Sequence, residues 1–583
     1  MILTPYPDAP RPIIWCGRVA LTTAFLGLVA TVAIVGYEAL PNAGLARTLL
    51  VLSVAPGLLL RALVARRTLG ATSRVRPLFW DIAAALLGTG AALSNLPDFL
   101  GFVAAGYHVL TIGRLVASTE SGRRLGSQLP AQPTKLLLVS FLATIAIGSM
   151  FLTFPRATTD GAGVAPLDAA FMATSATCVT GLSVINTSDR GERAPGLRSL
   201  TGFGQVILLV LIQIGGLGIM TLSAAVVLLL GGKLGPRSHA ALRTSHEADH
   251  RHHLERSLRF ILKMTLAFEA TGAVLLLIRF WPHFGDFGEA AWNAVFLSIS
   301  AFNNAGFSLM PDSLMSFRSD LLVNGTLMTL VVFGGLGFTV IATLTQWRLY
   351  RQPIETLWIR WPPQVKVVVS STLWLIFGGA LCFYFFDFDH SLKGLSRGDK
   401  LLASLFHSVT YRTAGFYTVD LSAMSRVTLL VSLLLMYIGG SPGGTAGGAK
   451  TTTVAVAYYS VRAMLTGRDE VEVHDRTIAK PIVYRATAIL LTFTGIWLLG
   501  VALMFVCEPD KSLESLLFET MSALCTVGVS YGITPWLSTA GKIVLILLMF
   551  VGRVGPLSMA LAVGEGERGP ASVRLPEGKI MVG

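Results

Sequence analysis

Apolar runs long enough to cross a membrane recur along the whole chain of 583 residues. Clear examples lie at 19–36, 201–231, 319–345 and 425–439. Because the hydrocarbon core of a bilayer is about 30 Å thick, a run of about 20 apolar residues predicts a membrane-spanning helix. Charged residues make up only 14% of the chain, against about 25% in a typical soluble domain. The sequence therefore predicts an integral membrane protein and excludes a soluble multidomain protein.

The formal net charge of +13 has a topological explanation. In a soluble protein such a charge would favour nucleic-acid binding. Here Lys and Arg cluster in short loops between the apolar runs, which is the positive-inside pattern of membrane proteins, so we predict no nucleic-acid partner. The five cysteines contain no CxxC pair, and the sequence predicts neither a disulfide framework nor a metal site built from them.

The first 134 residues carry apolar segments that precede any repeated pattern. The basic loops between these segments place the N-terminus in the cytoplasm. We predict an N-terminal extension, residues 1–134, with about four membrane segments, of which the last two could instead form a shorter re-entrant pair. No role for them follows from the residues. The four segments lie at roughly 15–36, 46–64, 78–95 and 98–114.

From residue 135 onward one pattern occurs four times: an apolar helix, a short apolar segment ending near a glycine, and a second long apolar helix. The basic loops between copies share one face only if each middle segment enters and leaves the membrane on the same side. We therefore predict an all-α membrane fold of four pseudo-symmetric helix–pore-loop–helix repeats around one pore, with both termini cytoplasmic. The predicted repeats are 135–232, 233–348, 349–464 and 465–565, followed by a cytoplasmic tail at 566–583.

Each middle segment ends at a glycine flanked by small and hydroxyl-bearing residues, and these glycines recur at intervals of roughly 110 to 125 residues. A cation leaving water needs oxygens that replace its hydration shell, and backbone carbonyls around an axis supply them. Glycine allows the backbone conformations that this requires. A tight turn explains one such glycine, but four at matching places predict a potassium-binding selectivity filter. Its predicted residues are Cys178, Val179, Thr180, Gly181, Asn303, Asn304, Ala305, Gly306, Arg412, Thr413, Ala414, Gly415, Cys525, Thr526, Val527 and Gly528.

A second unusual segment, here named the gate loop, runs from 439 to 453 with the sequence GGSPGGTAGGAKTTT. Its glycine density and Pro442 make a continuous helix unfavourable. A cytoplasmic loop is the simpler interpretation, but apolar runs flank it on both sides. Arg553 lies in an otherwise apolar helix, where a charge faces a cavity or a partner, or snorkels to the interface.

These features together resemble the Trk/Ktr/HKT superfamily of potassium transporters over about 135–563. The fourth filter segment contains Thr526-Val527-Gly528, and Arg553 lies in the stretch GRVGP. Glycine at all four filter positions resembles the potassium-selective members, and a gate loop with Pro442 is closest to Ktr B-type subunits. The resemblance implies an intramembrane gate below the filter, with Arg553 projecting into the permeation path; Lys450 is included by position, without a pore role. The implied gate residues are Gly439, Gly440, Ser441, Pro442, Gly443, Gly444, Thr445, Ala446, Gly447, Gly448, Lys450 and Arg553.

The resemblance also implies partners and a location. These are a homodimer with one pore per protomer, contact with membrane lipid in the bacterial inner (plasma) membrane, and a cytoplasmic regulatory ring of the Trk A or Ktr A type. The chain contains no nucleotide fingerprint, so ATP, ADP or NAD would act only through that partner. We expect no cofactor in the chain itself, apart from potassium ions in the pore. The sequence does not indicate which nucleotide regulates the partner or whether sodium or protons are coupled to transport.

Other interpretations compete with a gated potassium pore. A secondary transporter with alternating access also uses repeats and broken helices, but it does not explain four equivalent glycines. A membrane enzyme is disfavoured because paired polar catalytic groups are nearly absent from the apolar runs, and we predict that the chain is not an enzyme.

Three further features are weaker. Glu269 could couple protons or sodium, although a buried hydrogen bond is the favoured interpretation. The GGLG stretches at 215–218 and 334–337 predict close helix packing. The HEADHRHH run at 246–253 resembles a metal-binding tract, but we place it in a basic cytoplasmic loop as a solvated or partner-binding surface.

Overall fold

The structure is a computed structural model that describes residues 133–188, 197–218, 247–345, 358, 361–474 and 476–555. The predicted membrane segments of the N-terminal extension and the predicted tail at 566–583 lie outside these residues.

The described part of the chain is mostly helical, as an all-α membrane fold predicts. A small antiparallel hairpin, β1 (Val471–Val473) with β2 (Arg476–Ile478), is the exception, and it pairs Val471 with Ile478. The described helices are α1 (Pro133–Leu152), α2 (Pro166–Thr177), α3 (Gly202–Gly216), α4 (Glu247–Phe284), α5 (Phe287–Phe302), α6 (Leu321–Leu336), α7 (Phe338–Leu344), α8 (Pro363–Phe386), α9 (Arg397–Thr410), α10 (Arg426–Tyr437), α11 (Thr451–Leu465), α12 (Lys480–Cys507), α13 (Leu513–Leu524) and α14 (Thr539–Val554).

Within the described residues, three helices are long and apolar enough to cross a membrane. They are the Arg259–Phe284 part of α4, α8 and α12, with 26, 24 and 28 residues. Large apolar side chains on them are exposed, including Leu266, Trp374 and Leu491. Because lipid tails are themselves apolar, such faces suit a bilayer and would be costly in water.

Four of the described helices that are too short to span a bilayer precede the predicted filter segments. Helices α2, α5, α9 and α13 have 12, 16, 14 and 12 residues, whereas a span needs about 20. Three of them begin at side-chain caps, from Asp286, Ser396 and Ser512, and α2 begins at Pro166. Each short helix ends immediately before one of the predicted filter segments, so its C-terminus lies inside the protein.

One of the long apolar helices predicted from the sequence is broken. The run 319–347 forms two helices, α6 and α7, that meet at an angle of 107°. Gly337 lies at the break with a φ of 90°, a backbone conformation that glycine adopts at little steric cost. Hydropathy alone did not distinguish this bend from a straight helix, because both halves are apolar.

The HEADHRHH run is also not wholly a loop. The backbone of α4 is helical from Glu247 onward, so the placement of this whole run in a loop was wrong. The run shows no helical periodicity of apolar residues, because it is polar on every side.

The two ends of the described chain share one hydrophobic core. This core contains Phe141 and Phe171 near the start and Met549 near the end, all fully buried. A second core groups residues from α4 to the segment after α9, including Phe280, Phe302 and Phe416. The packing therefore brings α14 back against α2, closing the described helices on themselves.

Candidate selectivity filter and gate

The four predicted filter glycines meet in one place and form a closed cycle. Their φ angles are 102°, 72°, 85° and 92° for Gly181, Gly306, Gly415 and Gly528. A Cβ built on each glycine would lie 3.2, 2.8, 3.4 and 2.9 Å from the Cα of the next glycine in chain order, with the last returning to Gly181. The four segments, separated by more than a hundred residues each, thus converge on a common centre.

Backbone oxygens fill the space beside these glycines. A Cβ at Gly181 would lie within 3.0 Å of the carbonyl oxygen of Ala305, the residue before the next filter glycine. The same relation holds around the cycle, and real Cβ atoms essentially never approach another atom so closely. The oxygens met at Gly306, Gly415 and Gly528 belong to Ala414, Val527 and Thr180. Each filter segment therefore presents a main-chain carbonyl beside its neighbour, where no side chain fits.

A second backbone feature repeats in all four segments. Two residues before each glycine, Val179, Asn304, Thr413 and Thr526 have φ angles of 56°, 59°, 74° and 50°. Left-handed backbone costs about 1–3 kcal/mol for such residues and persists only where the surrounding structure enforces it. Sequence reasoning missed this feature, because β-branched Val and Thr are poor candidates for positive φ and only Asn is enriched there.

Hydrogen bonds from the short helices hold these strained segments. The Ser175 and Ser522 hydroxyls accept from the amides of Gly181 and Gly528 at 3.1 and 3.0 Å. Three serine carbonyls, from Ser175, Ser300 and Ser522, accept from the amides of Thr180, Ala305 and Val527 at 2.7, 2.7 and 2.8 Å. The serines precede the glycines by a constant spacing, a signal that sequence reasoning could have used. The third segment lacks this serine and has Val409 in its place.

The predicted filter residues are buried except for the half-buried Gly306, and their side chains are between 0 and 7% exposed. The hydroxyls of Thr180, Thr413 and Thr526 find no hydrogen-bond partner among the described residues. Buried polar groups are normally hydrogen-bonded, so these hydroxyls mark positions where a polar ligand would be favourable.

The gate loop packs into the break between α6 and α7. The amides of Ser441 and Thr445 donate to the carbonyls of Gly335 and Gly334 at 2.9 and 3.0 Å. The Phe338 amide donates back to the Gly443 carbonyl at 3.2 Å. Carbonyls and amides freed by the broken helix are therefore satisfied by the loop. Helix α11 begins at Thr451, so the last three residues predicted for the gate loop belong to a helix.

The gate loop also contacts the filter. A Cβ at Gly447 would overlap the Thr526 hydroxyl and lie 2.6 Å from the Cys525 carbonyl oxygen. The Thr445 hydroxyl donates to the Phe302 carbonyl at 3.2 Å, at the end of α5. The loop thus lies directly against the fourth filter segment and against the end of α5, where the second filter segment begins.

Arg553 links three parts of the structure. Its guanidinium donates to the Gly215 carbonyl at 2.6 Å, at the end of α3, and to the Thr445 carbonyl of the gate loop. Lys450 donates to the Ala446 carbonyl at 2.6 Å, within the loop itself. Arg553 therefore contacts the gate loop, and its projection into the permeation path stays a prediction.

Glu269 is hydrogen-bonded, which was the favoured interpretation. It is 6% exposed, and its carboxylate accepts from the side-chain amides of Asn303 at 3.0 Å and Gln213 at 3.2 Å. These hydrogen bonds hold the side chain of Asn303, the first residue of the second filter segment.

The GGLG stretches allow close packing, as predicted. A Cβ at Gly215 or Gly334 would overlap the carbonyl oxygen of Thr177 or Phe302, the last residues of α2 and α5. Sequence reasoning did not single out Gly552 in α14, which meets the last carbonyl of α13 in the same way.

Two functional candidates were missed by sequence reasoning. Glu519 in α13 is fully buried and accepts from the Tyr531 amide at 3.1 Å and the Thr534 hydroxyl at 3.0 Å, just after the fourth filter segment. Asp168 in α2 forms an ion pair of 2.6 Å with Lys542 in α14. Neither pairing has a local sequence signal, because the partners come from different elements.

A cavity of about 540 Å³ lies beside the filter. Its lining includes Gly181, Gly528, Asp312, Asp420 and Tyr531. It therefore gives access to two of the filter glycines.

Comparison with known proteins identifies a family. The profile of the TrkH family, described as cation transport proteins, matches residues 131–566. The chain is 36% identical to the Ktr system potassium uptake protein B of Bacillus subtilis, over 77% of this chain and 97% of that protein. It is 33% identical to the potassium/sodium uptake protein NtpJ of Enterococcus hirae, again over 77% and 97%.

A solved structure shares the fold. The crystal structure of the potassium transporter TrkH from Vibrio parahaemolyticus matches with a TM-score of 0.57 and 17% identity, covering 89% of this chain and 97% of that one. The fold, the profile match and the full-length relatives lead to one conclusion: this chain is a member of the TrkH family of cation transport proteins.

Proposed function

We propose that this chain takes up potassium ions across the membrane through a gated selectivity-filter pore. The observation that carries the proposal is the closed cycle of four glycines. Each glycine lies beside the carbonyl oxygen of the residue that comes immediately before the next glycine in the cycle. A ring of such oxygens can replace the hydration shell of a potassium ion. Relatives named as potassium uptake proteins support the choice of ion.

The short helices support this filter electrostatically. Helices α2, α5, α9 and α13 each end next to a filter segment, and a helix C-terminus carries about half a negative charge. Four such ends around one centre favour a cation there. The hydroxyls of Thr180, Thr413 and Thr526, which have no hydrogen-bond partner in the described part of the chain, offer further oxygen ligands.

The gate loop and Arg553 form the gate. The loop lies against the filter segments, and Arg553 binds it through the Thr445 carbonyl. A positive charge at this depth repels cations, so conduction requires that the loop and Arg553 move together.

The proposal extends to the repeats, the oligomer, the membrane location and the regulation of the chain. The four repeats and their boundaries are those predicted from the sequence, around one pore, preceded by about four extra membrane segments. The chain works as a homodimer in the bacterial inner membrane, with both termini cytoplasmic. A nucleotide-binding cytoplasmic ring regulates it, a role that fits relatives named as components of a Ktr system.

The membrane-enzyme interpretation finds no support, since the reported relatives are named as uptake proteins. Alternating access remains the rival mechanism, because the bend at Gly337 and the gate loop are broken helices of the kind that carriers use. The glycine cycle favours the pore, since a rocking carrier does not need four backbone segments fixed around one centre.

Flux measurements on the purified chain in liposomes test the proposal. We expect potassium flux that exceeds sodium flux and continues without an imposed sodium or proton gradient. Growth of a strain lacking potassium uptake should recover at low potassium when the chain and its regulatory partner are expressed. A correctly inserted chain that gives neither flux nor growth would contradict the proposal.

The Gly415→Ser variant separates a pore from a carrier. A Cβ at Gly415 would lie 2.7 Å from both the Gly306 Cα and the Val527 carbonyl oxygen, so the ring of oxygens must distort. We expect the potassium-to-sodium flux ratio to fall about tenfold or more, which corresponds to about 1.4 kcal/mol or more of lost discrimination. The matched control is Gly378→Ser, because nothing lies within 4 Å of a Cβ at that position. A carrier would instead lose rate for both ions with the ratio unchanged.

A further inference from the structure

Arg412, in the third filter segment, has a buried charged side chain, and the filter and gate described above give this side chain no role. Its side chain is 7% exposed, and no acidic partner lies within ion-pair distance of it among the described residues. The residues at the matching place in the other segments are Cys178, Asn303 and Cys525. Only the third segment has a charged residue at this place, and this segment belongs to the predicted repeat 349–464, which also contains the gate loop.

The guanidinium of Arg412 reaches the start of the gate loop. Its Nη2 donates to the Gly439 carbonyl at 3.4 Å. Helix α10 ends two residues earlier, at Tyr437, so this acceptor lies just beyond a helix C-terminus. A positive charge at a helix C-terminus is favourable, so the interruption of this helix provides a place where a buried arginine is stabilised without a carboxylate.

The rest of the guanidinium borders a small cavity. The cavity is about 10 Å³ and is also lined by Thr372, Gly335 and Gly440. Both the Arg412 Nε and the Thr372 hydroxyl are buried without a hydrogen-bond partner among the described residues. A cavity of about this size holds one water when polar groups surround it, and Gly335 already binds the gate loop through Ser441.

We propose that Arg412 is a positioning residue that couples the third filter segment to the gate loop, with one water in the cavity bridging it to Thr372. The inference rests on the proposed function, since it assigns the coupling between that filter and that gate. Movement of the loop, and of Gly439 with it, away from Arg412 removes the guanidinium's protein acceptor, so this hydrogen bond resists opening. The same side chain transmits a shift of the loop to Thr413 and Gly415, its neighbours in the filter.

Hydrogen exchange of the full chain in nanodiscs tests the contact. In Arg412→Gln, peptides covering 438–451 should exchange about tenfold faster than in the unaltered chain, because a hydrogen bond from a charged donor is lost. Arg412→Lys keeps the positive charge and a single donor group. The logarithm of its exchange rate should therefore lie about midway between that of Arg412→Gln and that of the unaltered chain. Arg426→Gln is the matched control, since that side chain is 91% exposed, and it should leave these peptides unchanged.

Two hydrogen-exchange results for Arg412→Gln would overturn the inference. One is an exchange rate in 438–451 within about twofold of that of the unaltered chain, and the other is faster exchange spread evenly over all helices. If Arg412→Gln does not fold, Arg412→Lys is judged by the same criteria. In liposomes, Arg412→Gln should also raise potassium flux per inserted chain about threefold, and an unchanged flux would count against coupling. Exchange reports the contact whether or not the chain conducts potassium, so failure here and failure of the proposed function are distinguishable.

Discussion

At the scale of single residues, the filter depends on backbone shape more than on side-chain chemistry. Val179 and Thr526 adopt left-handed backbone that their side chains disfavour, and buried hydroxyls and amides hold them there. Glu269 belongs to this supporting layer, because its carboxylate accepts a hydrogen bond from the side chain of Asn303. The residues that surround the filter therefore determine its geometry.

Substitution of Glu269 tests this supporting role. Glu269→Ala leaves the Asn303 and Gln213 side-chain amides without this acceptor, and we expect it to lower the free energy of unfolding by about 1–3 kcal/mol. Glu269→Gln retains one carbonyl acceptor and should cost less. Thermal unfolding in detergent measures both effects. A coupling role would appear differently: Glu269→Gln would abolish any dependence of potassium flux on sodium or proton gradients in liposomes while leaving stability unchanged.

At the scale of elements, interrupted helices are the device that this fold repeats. Helices α6 and α7 break at Gly337, and α10 and α11 are separated by the gate loop. Each break frees backbone groups at membrane depth, which is tolerated only where protein or water satisfies them. The gate loop satisfies those of the α6–α7 break, so the two interruptions form one unit.

Gly337→Ala tests that unit. A Cβ there would lie 2.5 Å from the Pro442 carbonyl oxygen, and the φ of 90° disfavours any L side chain. We expect a loss of about 1–3 kcal/mol in stability, measured by thermal unfolding. Gly325→Ala in the same helix α6 is the control, since nothing lies within 4 Å of its Cβ. It should be neutral or stabilising by up to about 1 kcal/mol, and equal effects of the two variants would contradict this account of the break.

Element-scale features divide into those the sequence predicts and those it does not. The short helices, the filter glycines and the gate loop could be predicted, because apolar runs and glycine clusters are local signals. The bend at Gly337 could not, since an apolar run looks the same whether straight or broken. The hairpin at Val471–Ile478 was also missed, because three-residue strands are too short for a period to show.

At the scale of the whole molecule, the described chain closes on itself. The first and last short-helix regions share a core, and the Asp168–Lys542 ion pair joins α2 to α14 across 374 residues of sequence. No sequence pattern indicates such a pairing, because it depends on how the helices are arranged in space. The side chains of the pair are 26% and 14% exposed, so water weakens it only in part.

A double-mutant cycle tests this closure. Asp168→Lys and Lys542→Asp should each lower the unfolding temperature through like-charge contacts, and the double exchange should recover part of the loss. We expect a coupling energy of about 0.5–1 kcal/mol that decreases at high salt. The control cycle uses Arg426 and Glu514, an exposed pair 3.7 Å apart, which should show no measurable coupling. Additive effects at Asp168 and Lys542 would mean that the contact does not stabilise the closed arrangement.

The glycine cycle has an evolutionary consequence. Since the space beside each filter glycine is filled by its neighbour's carbonyl, a change in one segment alters what the next segment tolerates. Substitutions in this ring should show strong epistasis, and a drift in ion preference would need matched changes in adjacent quarters of the chain. A single gene that encodes all four segments can acquire such asymmetric combinations, whereas a channel assembled from four identical subunits changes every segment at once.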